Sequence, residues 1–553
     1  MRTATTPATA VVVGAGASGL VTALLLARRG WRVTVLERDV DDCPRTLAGI
    51  AGWHRPGATQ TWHSHAFLAR CRSLLAEHAP DVLAALRAAG ARETRLVEHA
   101  PPTLTGPPPG GGDDGGNRGG DGDGDDDELV VLGCRRAVLD WVLRDVVGRE
   151  PGVSLRPGAR VVGLLVAGGP ASPGRGPLLV RGVRLADGSS CEADLVVDAA
   201  GRLSPVRRWL VDAGADLPAP AEADCGIAYY SRFYRRRGPE PDLPLNRGHT
   251  AGASFDRYSC LMFPADRDVF SMTFGVLPED TEIRVLRHGA AFDAAARSIG
   301  MFGPWLEPGQ VEPVSPVSAM SHLTNRLRPL VPDGHPVVLG LLPVGDAAVI
   351  TNPAHTRGVT LAVLAAVRLA ETVGASPDPT VWAHTLDELL RAEFAPWFED
   401  SCAQDAARLL RWRPAGPGGP PASQAGVAGG APPTGFTPWP AAPATVAAAR
   451  GGTDAPSVTN GEAYLAARRD PWVWRRFTRL QNLLLAPSVL ADPEFVARVR
   501  AVLATDWRPA VVPGPSHDDL VGLAADAHAH PPDAADRPNR ASVPGQPGVP
   551  EPR

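Results

Sequence analysis

Residues 10–39 read AVVVGAGASGLVTALLLARRGWRVTVLERD, and this stretch decides the fold. A run of valines reaches Gly14-x-Gly16-x-x-Gly19, an apolar helical pattern follows, and a second β-run from Arg32 ends at Glu37. Each glycine has a physical task in that context. Gly14 permits a tight turn, Gly16 lets a pyrophosphate approach the backbone, and Gly19 lets the helix lie close on the strand. The helix N-terminus, with Ala17 and Ser18 in its first turn, offers free N–H groups to phosphates. Glu37, eighteen residues past Gly19 and followed by Arg38, is placed to accept hydrogen bonds from an adenosine ribose. The pattern predicts a strand–helix–strand dinucleotide site; it does not separate FAD from NAD.

The chain has 553 residues, enough for two or three packed units. Its net charge of −5 gives no electrostatic case for nucleic acid or an acidic membrane. The basic residues are all arginine: no lysine occurs, so no mechanism that needs a side-chain amine can run here. Seven cysteines are dispersed without a C-x-x-C pair, the pattern of reduced thiols rather than a disulfide framework. The apolar run near the N-terminus is interrupted by glycines and ends at Arg28-Arg29, too short to span a bilayer. A cytoplasmic protein without integral membrane association is the expectation.

Three segments have compositions that bury too little apolar surface to offset ordering entropy. They are the acidic Gly/Pro/Asp insertion 105–128, the Pro/Gly/Ala-rich linker 413–457 and the polar tail 513–553. Between them the patterns predict an α/β (mixed α+β) architecture. A discontinuous Rossmann-like domain spans 1–224 with 331–400, and a helical C-terminal region covers 401–512. Residues 225–330 carry alternating, aromatic-bearing runs such as IAYYSRFYR and YSCLMF, read as an inserted antiparallel-sheet substrate domain.

Two later segments narrow the cofactor. ADLVVDAAGRLSPVR (193–207) and LPVGDAAVITNPAHTRGVTLA (342–362), together with the N-terminal fingerprint, resemble the three motifs of the FAD-dependent aromatic hydroxylase-like (group A) monooxygenases. Gly201, Ser204, Val206 and Arg207 match the second motif, while Ala200 stands where the family usually has aspartate. The resemblance implies FAD held by Gly201, by Gly345 and Asp346, and along the flavin edge by Pro353 and the Arg357–Val359 backbone, including Gly358. A helix starting after Asn352-Pro353 aims its positive end at that edge. Arg55, in Arg55-Pro56-Gly57, and Arg136 match recurrent cofactor-facing arginines of the family.

The string Arg55-PGATQTWHSH-Ala66 is similar to a segment of bacterial polyketide epoxidases and related tailoring enzymes of secondary metabolism and antibiotic biosynthesis. It places Gln60, His63 and His65 near the flavin or the substrate mouth, where an imidazole titrating near neutrality can carry a proton. Read as metal ligands, His63 and His65 lack a third partner at a recognisable spacing, so no metal is expected. A structural histidine pair is the rival; the expectation is a polar wall beside the cofactor.

The implied activity is insertion of one oxygen atom from O2 into an apolar small molecule, a hydroxylation or epoxidation through a flavin C4a-hydroperoxide. Electrons come from NAD(P)H or from an external flavin reductase, since Ala200 departs from the family at a position tied to NAD(P)H. Tyr230, Phe255, Phe263 and Phe274 are the expected substrate-pocket aromatics. Alternatives are a flavin-dependent reductase or dehydrogenase of a lipid-like or polyketide substrate, and a non-catalytic flavin-binding regulator. A flavin-dependent halogenase needs an active-site lysine and a W-x-W-x-I-P string, and the chain has neither.

Overall fold

Valines at consecutive positions fill a strand buried on both faces, the signature of a parallel sheet covered by helices. The computed structural model bears this out; it describes residues 7–40, 42–53, 55–101, 104, 126–167, 176–241, 245, 250–413, 457–507 and 512–530. In chain order its principal elements are β1 (Thr9–Val13), α1 (Ala17–Ala27), β2 (Arg32–Leu36), α2 (Arg136–Arg149), β3 (Val153–Arg156) and β4 (Leu195–Asp198). There follow β5 (Ala228–Arg236), β6 (Tyr258–Pro264), β7 (Val269–Val276), α3 (Gly289–Ser298), β8 (Leu341–Pro343), α4 (Gly358–Ala375), α5 (Ala395–Trp412), α6 (Pro471–Gln481) and α7 (His517–Ala529).

Five parallel strands in the order β8-β4-β1-β2-β3 form the first sheet. Helix α1 lies on it within one large core that also takes in α2 and α4. Gly19 makes that approach possible: a Cβ on it would stand 2.0 Å from the Gly14 carbonyl oxygen. Gly14 itself has φ +105°, and a Cβ there would meet the Ala199 oxygen at 2.6 Å. Any side chain at either position pushes the helix off the strand. Helix α4 is long and apolar enough to cross a membrane, but most of it is buried against α1 and the other core helices.

The second sheet is antiparallel, with β6, β7 and β5 at its centre. Strand alternation sends Tyr230, Tyr234, Tyr258, Phe270 and Phe274 to one face, where α3 and α7 cover them with Phe292, Leu520 and Ala524. Helix α7 corrects the reading of 513–553 as an unstructured tail. Ser516 caps it by accepting from the Asp519 amide, and buried His517 places Nε2 2.6 Å from Asp280 Oδ2. The polar composition of the segment concealed one apolar stripe. The acidic insertion is likewise shorter than read: residues 126–128 form a turn in which Asp126 and Glu128 pair with Arg475 (3.1 Å) and Arg479 (2.9 Å) of α6. Positions 105–125, 414–456 and 531–553 lie outside the described residues.

A buried polar knot ties α5 to the second sheet. Asp405 of α5 accepts from Asn352 Nδ2 (2.6 Å), Asn325 Nδ2 (2.8 Å) and Arg408 Nη1 (2.6 Å). Asn352 Oδ1 in turn accepts from the Tyr229 hydroxyl at 2.6 Å. Removing one partner of a buried, charge-assisted network typically costs about 3–5 kcal/mol, because the remaining groups stay desolvated. Asp405→Ala is expected to lose stability of that order in urea unfolding at neutral pH. A loss under about 1 kcal/mol, the scale of an exposed pair, would show that water reaches the knot.

Candidate functional site at two helix ends

Two helices begin at one cavity. Its volume is about 820 Å3, inside the range of roughly 300–1,000 Å3 that small-molecule and cofactor sites occupy. At one end, Gly14, Gly16, Ala17 and Ser18 at the start of α1 line it beside Glu37 and Arg38. At the other, Pro353, Thr356, and Gly358 and Val359 at the start of α4 line it beside Asp346. Neither helix has a side-chain cap bond or an acidic residue in its first turn. Each therefore presents first-turn amides and the positive end of its dipole to the cavity. Gly16 and Gly201 also line it, and nothing stands within 4 Å of where their Cβ atoms would be. Backbone bare on the cavity side is what a closely laid pyrophosphate requires.

Glu37 is already oriented. One carboxylate oxygen accepts from the Ala15 amide at 2.8 Å and the other from the Asp39 amide at 3.1 Å. Arg55 and Arg136 are held by a residue the sequence reading missed. Asp140, fully buried on α2, accepts from Arg55 Nη1 (2.6 Å) and Arg136 Nε (2.8 Å), and Arg55 also donates to the Ala15 carbonyl at 3.1 Å. Burial alone raises a carboxyl pKa; here Arg136 and Arg55 outweigh it and hold Asp140 below the ordinary value. One carboxylate shared by two guanidiniums leaves this wall of the cavity net positive, suited to a diphosphate. The only sequence signal was Asp140 one helical turn after Arg136, a spacing equally common in surface pairs. Among the described residues Asp346 has no such partner in contact; burial raises its pKa against the more distant Arg136, Arg202 and Arg328.

Gln60, His63 and His65 line the same cavity. His63 Nδ1 lies 3.1 Å from Ser231 Oγ of β5, and His65 Nδ1 lies 2.9 Å from the His63 carbonyl oxygen. Burial, the largest cause for each, lowers both imidazoles to about 4, with His65 and Arg202 adding for His63 and Arg136 for His65. This corrects the expectation that they titrate near neutrality: both are neutral there. Among the described residues, no cluster of three or more His, Cys, Asp or Glu is arranged to hold a metal ion.

Other expected positions fall elsewhere. Gly19 and Gly345 are packing positions; a Cβ on Gly345 would stand 2.2 Å from Ser18 Oγ. Arg357 turns away from the cavity, paired with Asp400 at 2.5 Å and stacked over Trp397. The α-helix starts at Gly358, because a short turn over Pro353–His355 and left-handed Thr356 intervene after Asn352. Tyr230 and Phe274 point to the far face of the second sheet, Phe255 stacks on Tyr258 at 4.6 Å beside them, and Phe263 is buried outside the lining. Among the apolar side chains that do line the cavity are Met320, Leu323 and Ile350. Where the second motif departs from its pattern, the carboxylate sits two residues earlier. Asp198 accepts from the Ala200 amide (3.1 Å) and the Ser204 hydroxyl (2.6 Å).

The neutral histidines give a pH dependence with a defined sign. Their folded pKa values near 4 lie below the unfolded value near 6.5, so the unfolded chain binds protons first as pH falls. Their contribution is complete above the unfolded value and fades toward the folded one, on the order of 3 kcal/mol per histidine at about 1.4 kcal/mol per pKa unit. Urea midpoints are expected to drop steeply between those two pH values. The His63→Gln/His65→Gln double variant should show a shallower drop; an equal one contradicts the assignment.

Residues 9–103 match the family described as FAD dependent oxidoreductase. Protein Rv3254 of Mycobacterium tuberculosis is 29% identical over 388 residues, covering 66% of this chain and 73% of the relative. Among solved structures, a mutant of PqsL from Pseudomonas aeruginosa superposes with a TM-score of 0.50 at 15% identity, over 74% of this chain and 98% of that one. PqsL in complex with 2-aminobenzoylacetate gives the same TM-score and identity. PqsL is described as a probable FAD-dependent monooxygenase. Residues 9–103 thus resemble FAD dependent oxidoreductases, and the chain shares its fold with PqsL.

Proposed function

We propose that the protein is a monooxygenase that adds one oxygen atom of O2 to a small organic molecule held at the Met320–Leu323–Ile350 end of the cavity. The observation that carries this reading is the pair of uncapped helix ends opening into one space. The α1 end suits a diphosphate. The α4 end suits an isoalloxazine ring that becomes anionic on reduction, because the helix dipole lowers the energy of that charge. FAD supplies the oxygen-activating chemistry when bound.

The chain's own residues take the remaining tasks. Glu37 is oriented for the ribose, and Arg55 and Arg136 neutralise phosphate charge without leaving their shared carboxylate. Neutral His63 and His65, with Gln60, give the substrate end hydrogen-bonding groups that carry no charge. Such a wall suits an oxygen transfer that is spoiled by water and stray protons. The apolar side chains opposite favour a hydrophobic substrate, hydroxylated or epoxidised. Electrons come from NAD(P)H or a separate flavin reductase; the second motif's missing aspartate favours the latter.

The purified protein is expected to bind FAD, read by quenching of flavin fluorescence and by a rise in melting temperature. Gly14→Val should abolish both effects, since its side chain meets the Ala199 carbonyl. In the FAD-loaded enzyme, His65→Ala should keep its flavin and release more hydrogen peroxide per reductant consumed. Positioned groups of this kind contribute about a hundred- to ten-thousandfold in rate. Wild-type protein that neither quenches FAD fluorescence nor gains stability from it would end this reading.

A further inference from the structure

The cavity wall contains a row of hydroxyls that the proposed chemistry has not yet used. Ser64 Oγ lies 2.6 Å from Thr273 Oγ1, Thr273 Oγ1 lies 2.8 Å from Ser231 Oγ, and Ser231 Oγ lies 3.1 Å from His63 Nδ1. Ser231 and Thr273 are direct cross-strand partners on β5 and β7, so the sheet register fixes their spacing. Ser64 and His63 are neighbours on the loop that lies over that face, and both line the cavity. The chain of contacts therefore leaves the cavity at Ser64, runs through the sheet and returns to the cavity at His63. Among the described residues, His63 Nε2 has no protein hydrogen-bond partner.

We propose that Ser64, Thr273, Ser231 and His63 form a proton relay that starts and ends in the cavity, with Ser231 and Thr273 as positioning residues that set the tautomer of His63. The relay has two neutral states. In the first, Ser64 donates to Thr273, Thr273 to Ser231 and Ser231 to Nδ1, so the ring proton sits on Nε2 and faces the cavity. A ligand O–H or N–H that passes its proton to Ser64 Oγ moves one proton along each link, and the Nε2 proton leaves to an oxygen anion or water in the cavity. Each bond to hydrogen that breaks is replaced by one that forms, and no electron moves. The second state has the ring proton on Nδ1 and a bare Nε2 that accepts.

The low basicity of the buried ring fits this use, because the imidazolium is only a passing state and the ring rests neutral. The substrate class implied is a protic one, a phenol, enol or arylamine, whose proton must leave as oxygen is added. That purpose rests on the oxygenase reading; the hydrogen-bond geometry does not.

The test is long-range proton–nitrogen NMR on the full chain labelled with 15N-histidine at neutral pH, with His63→Gln used to assign the signal. Wild-type His63 is expected to show ring-nitrogen shifts averaged between the two neutral tautomers. Ser231→Ala and Thr273→Val should each collapse them to one tautomer, and Ser231→Thr, which keeps the hydroxyl, should restore the average. An unchanged tautomer in both deletion variants overturns the relay, as does a loss of averaging in Ser231→Thr equal to that in Ser231→Ala. FAD binding measured on the same samples separates the two claims. A chain that averages its tautomers yet binds no flavin keeps the relay and loses the oxygenase reading.

Discussion

A helix can aim its N-terminus at a ligand only if it lies close on the strand that delivers it. In this chain the margin is set at Gly19 and Gly14, where a Cβ would come within 2.0 Å and 2.6 Å of backbone oxygens. That contact fixes the angle of α1, hence the direction of its free amides, and hence where a diphosphate can sit. Everything that lines the cavity is organised around that point. Glu37 closes the turn by binding the Ala15 amide, and Arg55 reaches the Ala15 carbonyl from the opposite side. The helix dipole and the two guanidiniums converge on one small volume, which binds negative charge for structural reasons before any chemistry is considered.

The opposite end relies on a different principle. Beside the close approach at Gly345, buried polar groups here satisfy one another across several elements. Asp405, Asn325, Asn352 and Tyr229 tie α5, the second sheet and the middle of the third motif together. Such networks add modest net stability but strongly disfavour alternatives, because any misplacement leaves a group unpaired. The position of Pro353 and the α4 end relative to the second sheet is therefore held by hydrogen bonds of specific direction as well as by the apolar cluster of Tyr229, Leu323 and Ala354.

How much of this could be read beforehand follows from the range of each interaction. The fingerprint, Glu37 and the Gly345–Asp346 turn are local, and local constraints write themselves into residue identity and spacing. The parallel sheet and the cavity location followed from them. Asp140 was not legible, because its role depends on Arg55 arriving from 85 positions away. Nothing in the sequence singles out Ser231 or Thr273; only the register places them opposite each other, with Ser231 beside His63. For the same reason Tyr230 and Phe274 were assigned to the pocket. Alternation shows that a strand has two faces, but not which one meets the cofactor. The basicity of His63 and His65 was misjudged because burial is a property of the fold and not of the segment.

Helix α7 has a further implication, for biosynthesis. It covers aromatic residues of the second sheet, and His517 meets Asp280 across 237 positions of sequence. While a ribosome makes the chain, that apolar face and α3 over it exist long before α7 completes the cover. At translation rates of roughly 5–20 residues per second, the interval is on the order of ten seconds to a minute. During that time the part of the sheet that α7 will cover is an apolar surface open to misassociation. Helix α7 thus acts as a late seal, and a chain lacking it would leave one part of the second sheet's aromatic face uncovered.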